Sequence, residues 1–122
     1  MTMQAAVATM LTREDQIENV AAGTTIFREG DPGTSMYVIL EGEIAVSTGN
    51  RELATLRAED IFGEMSLIEN LPRSATATAK TDCKLATVDQ RQFLFLVHET
   101  PTFALDVMRA ISHRLRILDR LL

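Results

Sequence analysis

At 122 residues the chain is long enough for one domain with a real apolar core and too short for a second independent one. Hydrophobic residues make up 46% and charged residues 24%, near globular averages, which excludes a disordered or fibrous chain. A net charge of −5 argues against a surface built for a nucleic-acid backbone, which needs clustered Lys and Arg, so an anion bound here has to be met by a local group.

A single cysteine, Cys83, can form neither an internal disulfide nor a zinc site alone, which points to a reducing compartment and a cytoplasmic location. Ahead of the first strands, Gln4 to Leu11 is rich in Ala and Met and reads as a short helix. Its apolar stretch, Ala5 to Leu11, is broken by Thr9 and is too short to span a bilayer, and no basic region precedes it, so no targeting or membrane segment is expected.

From Gln16 the texture changes to short β-branched and apolar runs separated by glycine-bearing turns. Thr24 to Arg28 reads as a strand closed by the turn cluster Glu29-Gly30-Asp31-Pro32-Gly33. In Ser35 to Leu40, Met36, Val38 and Leu40 alternate with Tyr37 and Ile39, so both faces are apolar and both are expected to be covered. Glu43 to Thr48, a Gly49-Asn50 hairpin, Glu52 to Leu56, Ala75 to Lys80 and Cys83 to Asp89 continue the series. Strands at this spacing predict an antiparallel, jelly-roll-like β-roll.

The last third switches period. Asp89 can cap a helix through Val97, and Thr100-Pro101 starts another that can run to Leu122. Its residues Ala104, Met108, Ile111, Leu115, Leu118 and Leu122 follow an a/d heptad spacing, while Phe103, Val107 and Ala110 form a second strip beside them. One apolar face suits the β-roll and the other a second subunit, which predicts a homodimer through this helix. Arg109, His113, Arg114, Arg116 and Arg120, interrupted by Asp106 and Asp119, read as a solvated face rather than a nucleic-acid surface.

Between Asp60 and Thr76 the pattern is not that of a plain hairpin. Gly63 before a short helix, Glu64 to Asn70, allows a sharp turn and a close backbone approach to a ligand, and Leu71-Pro72 ends that helix before Arg73. Arg73 supplies a planar fork of donors suited to phosphate oxygens, and Ser66 and Ser74 add hydroxyls. Glu64 would repel a phosphate unless it turns away to accept from a neutral hydroxyl. It can instead serve the helix dipole or pair with Arg73 in the empty state.

The run Phe62-Gly63-Glu64-Met65-Ser66-Leu67-Ile68 with Pro72-Arg73-Ser74-Ala75-Thr76 resembles the phosphate-binding cassette of cyclic nucleotide-binding domains. Glu29-Gly30-Asp31 and Tyr37-Val38-Ile39-Leu40-Glu41-Gly42 are similar to that family's turn and strand signature, and the match covers roughly residues 16 to 122. The resemblance implies a mainly β chain: a β-roll with a short N-terminal helix, a short phosphate-site helix and two C-terminal helices, like the ligand-binding roll of the catabolite activator protein. One domain over 1–122 is expected, the roll over about 16–89 and the helices over about 90–122.

The same resemblance implies that Gly63, Met65 and their neighbours offer backbone amides, that Glu64 binds the ribose 2′-hydroxyl, and that Arg73 binds the cyclic phosphate. Ser74 would bond the phosphate or a base edge, and Ser66 stands where the family often has alanine. The C-terminal helix would close over the base near Leu118 and Asp119. The expected ligand is cAMP, with cGMP as the alternative, and no further cofactor. No metal set, paired carboxylates or activated nucleophile can be assembled, so a regulatory binding module is expected rather than an enzyme. Two other readings stand beside it: the sensing part of a longer transcription regulator or channel, and an interaction module that kept the fold without the ligand.

Overall fold

The computed structural model describes residues 16–121, with side chains described through residue 114. The helix expected over Gln4 to Leu11 and residue Leu122 lie outside the described residues, as do the side chains of Leu115, Leu118 and Asp119.

Among the described residues eight strands and three helices follow in the order β1 (Ile17–Val20), β2 (Thr25–Phe27), β3 (Met36–Glu41), β4 (Ile44–Thr48), β5 (Arg51–Leu56), β6 (Ile61–Phe62), α1 (Glu64–Glu69), β7 (Thr76–Ala79), β8 (Cys83–Val88), α2 (Gln90–Glu99) and α3 (Thr102–Leu121). The strands form two four-stranded antiparallel sheets, ordered β1-β8-β3-β6 and β2-β7-β4-β5. This is the expected β-roll. The six strands read from sequence end within a residue or two of that reading, as terminal assignments do, and β1 and β6 are additional to it.

Period-two alternation divides the interior in two. Met36 and Val38 of β3, Ile61 of β6, and Ala86 and Val88 of β8 pack with Leu67 of α1, Leu96 of α2, and Phe103 and Val107 of α3. The intervening Ile39, Phe62, Cys83 and Leu85 point into the roll against Val20, Ile44, Ala77 and Ala79. The first sheet is therefore covered by helices on one side and by the second sheet on the other, which is why β3 is apolar on both faces. Each large side chain buried this fully adds about 1.5–3 kcal/mol of transfer free energy. Cys83 is one of these core residues.

The helices are placed by local chemistry. Asp89 caps α2 with a reciprocal capping box: its carboxylate accepts from Gln92 N at 2.8 Å, and Gln92 Oε1 accepts from Asp89 N at 2.9 Å. In α3 the strip Phe103, Val107 and Ala110 rests on the roll; of the expected seam, Met108 is 60% exposed, whereas Ile111 departs from the sequence reading and packs on the roll beside that strip. Asp106 departs from the sequence reading: its side chain is buried, Oδ1 meets Arg109 Nη1 at 3.4 Å and Oδ2 has no partner among the described residues.

Candidate functional site

Arg73 follows Pro72 and is fastened to the β2–β3 turn through its own backbone. Its N–H donates to Asp31 O at 2.8 Å, and Gly30 N–H donates to Arg73 O, also at 2.8 Å. That pairing aims the side chain inward, where it is only 6% exposed. Nη1 donates to Ser35 O at 2.8 Å and to Gly63 O at 3.0 Å. Cζ stands 4.2 Å from the Phe27 ring centroid and 5.8 Å from that of Tyr37, and Tyr37 stacks on Phe62 with centroids 5.1 Å apart.

Two carbonyl dipoles and an aromatic face stabilise a cation but do not neutralise it. Among the described residues no carboxylate forms an ion pair with Arg73, and its buried Nε has no hydrogen-bond partner. Burial pushes the guanidinium below its ordinary value, opposed by Tyr37 and Asp31. The arrangement is suited to receive an anion.

Gly63 precedes α1 with φ 78° and ψ 6°, a left-handed conformation in which a side chain would be strained. No side chain caps the helix there. Glu64, the first residue of α1, is only 3% exposed and pairs with Arg114 of α3, whose Nη1 donates to Glu64 Oε1 and whose Nη2 donates to Ile61 O. This corrects two expectations. Glu64 does not pair with Arg73, and Arg114 belongs to a half-buried contact rather than a solvated face, because α3 turns it toward the roll in the strip continued from Phe103, Val107 and Ala110.

The structure thus brings Gly63, Glu64 and Arg73 together around α1. Ser66 lies buried on that helix, whereas Met65 is 48% exposed and Ser74 is also exposed. Phe27, Gly33, Ser35, Tyr37 and Arg114 join the site although the sequence reading gave none of them a binding role. Only Arg114 left a usable signal, since it extends the Phe103, Val107, Ala110 strip at helical spacing. Among the described residues no group of three or more His, Cys, Asp or Glu could hold a metal ion.

A family model for the cyclic nucleotide-binding domain matches residues 17–100, from β1 through α2. The chain belongs to the cyclic nucleotide-binding domain family. This domain is 29% identical over 111 residues to a CRP-like cAMP-activated global transcriptional regulator of Mycobacterium tuberculosis, covering 87% of this chain and 50% of the regulator. The chain therefore spans about half the length of the curated relative it matches. The Thermus thermophilus catabolite activator protein superposes with a TM-score of 0.77 at 32% identity, over 85% of this chain and 51% of that one. A structure described with a cyclic-GMP-dependent signalling pathway that regulates bacterial phytopathogenesis superposes with a TM-score of 0.80 at 28% identity, covering 93% of this domain and 95% of that chain. A family of this kind is a ligand-binding regulatory one. No helix among the described residues is long and apolar enough to cross a membrane.

Proposed function

We propose that the chain is a single sensor domain that binds a cyclic nucleotide, cAMP in the first instance, and passes the binding event to α3. The buried Arg73 carries this reading, with Nη1 engaged by two carbonyls and, among the described residues, Nε unpartnered and no carboxylate in an ion pair with it. A cyclic phosphate supplies the missing charge and accepts from the remaining donors, in the bidentate manner that arginine favours. Gly63 and Met65 offer backbone to the same anion, Ser74 a hydroxyl, and Ser66 supports α1 from its buried side.

Glu64 accepts from the ribose 2′-hydroxyl in this scheme. Arg114 already donates to that carboxylate, so a sugar arriving at Glu64 and the position of α3 are coupled through one group. Ligand shifts the helix by as much as it prefers one arrangement over the other. The base falls to the far part of α3, near Leu118 and Asp119. cAMP is favoured by the cAMP-activated relative, and cGMP is the competing choice because of the cyclic-GMP pathway structure.

Calorimetric titration with cAMP and cGMP tests the proposal. Wild type binds at least one of them, and Arg73→Ala weakens binding by about 3 kcal/mol, roughly a hundredfold, the scale of losing charged hydrogen bonds in a desolvated site. No binding at millimolar nucleotide refutes the function, and equal binding by the variant refutes the site.

A second role is proposed for α3, as a dimer seam, on the apolar residues that its outer face leaves exposed. The exposed Met108 and Leu105, 60% and 46% accessible, are consistent with a covering sister helix. Sedimentation of wild type as a dimer and of Met108→Glu as a monomer is expected. A monomer in both cases rejects the seam.

A further inference from the structure

The glycines of the β2–β3 turn are not equivalent. Gly30 has φ +88° and open space where a Cβ would stand, so it serves the backbone conformation. Gly33 has no such φ and would tolerate a side chain as far as its backbone is concerned. Its constraint is space: a Cβ there would lie 2.3 Å from Arg73 Nε, 2.5 Å from Cζ and 2.6 Å from Nη2. Those distances are far inside van der Waals contact, which begins at about 3.5 Å.

The crowded atoms are informative. Nη1 is spent on the carbonyls of Ser35 and Gly63. Gly33 instead lies against Nε, which is buried without a hydrogen-bond partner among the described residues, and against Nη2, which takes no part in the two carbonyl bonds of Nη1. The Phe27 ring, 4.2 Å from Cζ, limits the space further.

We propose that Gly33 is a positioning residue of the anion site: its missing side chain is the clearance that lets Arg73 lie on Phe27 with Nε and Nη2 turned to the ligand. The inference rests on the cyclic phosphate reading of Arg73 and extends it to a turn residue that touches no ligand itself. Because the atoms displaced by a Cβ are the far end of a flexible side chain, Gly33→Ala moves the guanidinium and leaves the turn and sheets in place.

The test is a double-mutant cycle of Gly33→Ala and Arg73→Ala with two readouts. In calorimetric titration with cAMP and cGMP, Gly33→Ala lowers affinity about tenfold or more while its melting temperature stays close to that of wild type. The second readout needs no ligand: the chain has one tyrosine, Tyr37, whose phenolate titration senses the Arg73 charge. Gly33→Ala moves that titration when Arg73 is present and leaves it unchanged in the Arg73→Ala background.

Wild-type affinity in Gly33→Ala overturns the proposal. So does an equal change of the tyrosine titration in both backgrounds, which would mean that the added methyl acts on the turn and not on the guanidinium. If wild type binds neither nucleotide, the cyclic phosphate reading falls, and the tyrosine readout still decides whether Gly33 sets the position of Arg73.

Discussion

Arg73 and Glu64 are both buried and lie at opposite ends of the cassette, one before β7 and one at the start of α1, yet the protein treats their charges differently. Glu64 meets an opposite charge from its own chain, the Arg114 guanidinium of α3. Among the described residues Arg73 hydrogen-bonds through its side chain to carbonyl oxygens and lies over aromatic rings, with no ion pair. A buried ion left without a counter-ion costs several kcal/mol even after relaxation, a cost that the proposed anionic ligand would offset. The paired charge does something else: it ties the cassette to the terminal helix. In the proposed function one charge receives the ligand and the other transmits its arrival.

The largest effect on stability is expected where the charges match. Arg114→Ala leaves Glu64 buried and unpaired, and deprives Ile61 O of its donor. A loss of about 2 kcal/mol is expected, below the 3–5 kcal/mol of a fully buried pair because the Arg114 side chain is 34% exposed. The measurement is the urea midpoint at constant m. A change under about 0.5 kcal/mol would show that the pair adds nothing to docking of α3.

Arg73→Met should do the opposite. Removing a cation that has no counter-ion, while keeping its apolar stem against Phe27, leaves the ligand-free protein as stable as before or about 1 kcal/mol more stable, although binding is lost. A marked destabilisation in the same urea titration would mean that the two carbonyl bonds and the ring already satisfy Arg73. The contrast between the two charges would then collapse.

Much of this was legible in the sequence. Alternation in β3 gave two covered faces, Asp89 gave the start of α2, and Gly63 through Arg73 gave the cassette, because each of these signals is local. What escaped were contacts between distant segments. β1 carries exposed Glu18 and Asn19 at its centre and exists as a strand because β8 pairs with it, not because of its own pattern. Arg114 and Glu64 are 50 residues apart, and charge counting along α3 hid the fact that period placed Arg114 on the buried strip. The clearance at Gly33 has no sequence periodicity at all: it depends on where a side chain from beyond α1 comes to rest.

The smallest expected effect is spectroscopic, and it reads the unmatched charge directly. Burial raises the Tyr37 phenol above its ordinary value of 10.0, with Glu18 adding to the rise and the positive charge of Arg73 working against it. The folded value lies above the unfolded one, so this contribution to stability is fully present below about pH 10 and is lost as pH climbs through the folded value. Tyr37→Phe should flatten that alkaline limb of the stability curve. In Arg73→Met the opposing charge is gone and the phenolate absorbance of the single tyrosine should appear at still higher pH. Arg114→Ala should leave the tyrosine titration where it is, since Arg114 answers to Glu64 and not to the aromatic floor under Arg73. Equal displacement by both substitutions would mean that the two charges share one electrostatic environment, and that the division between a receiving and a transmitting group is wrong.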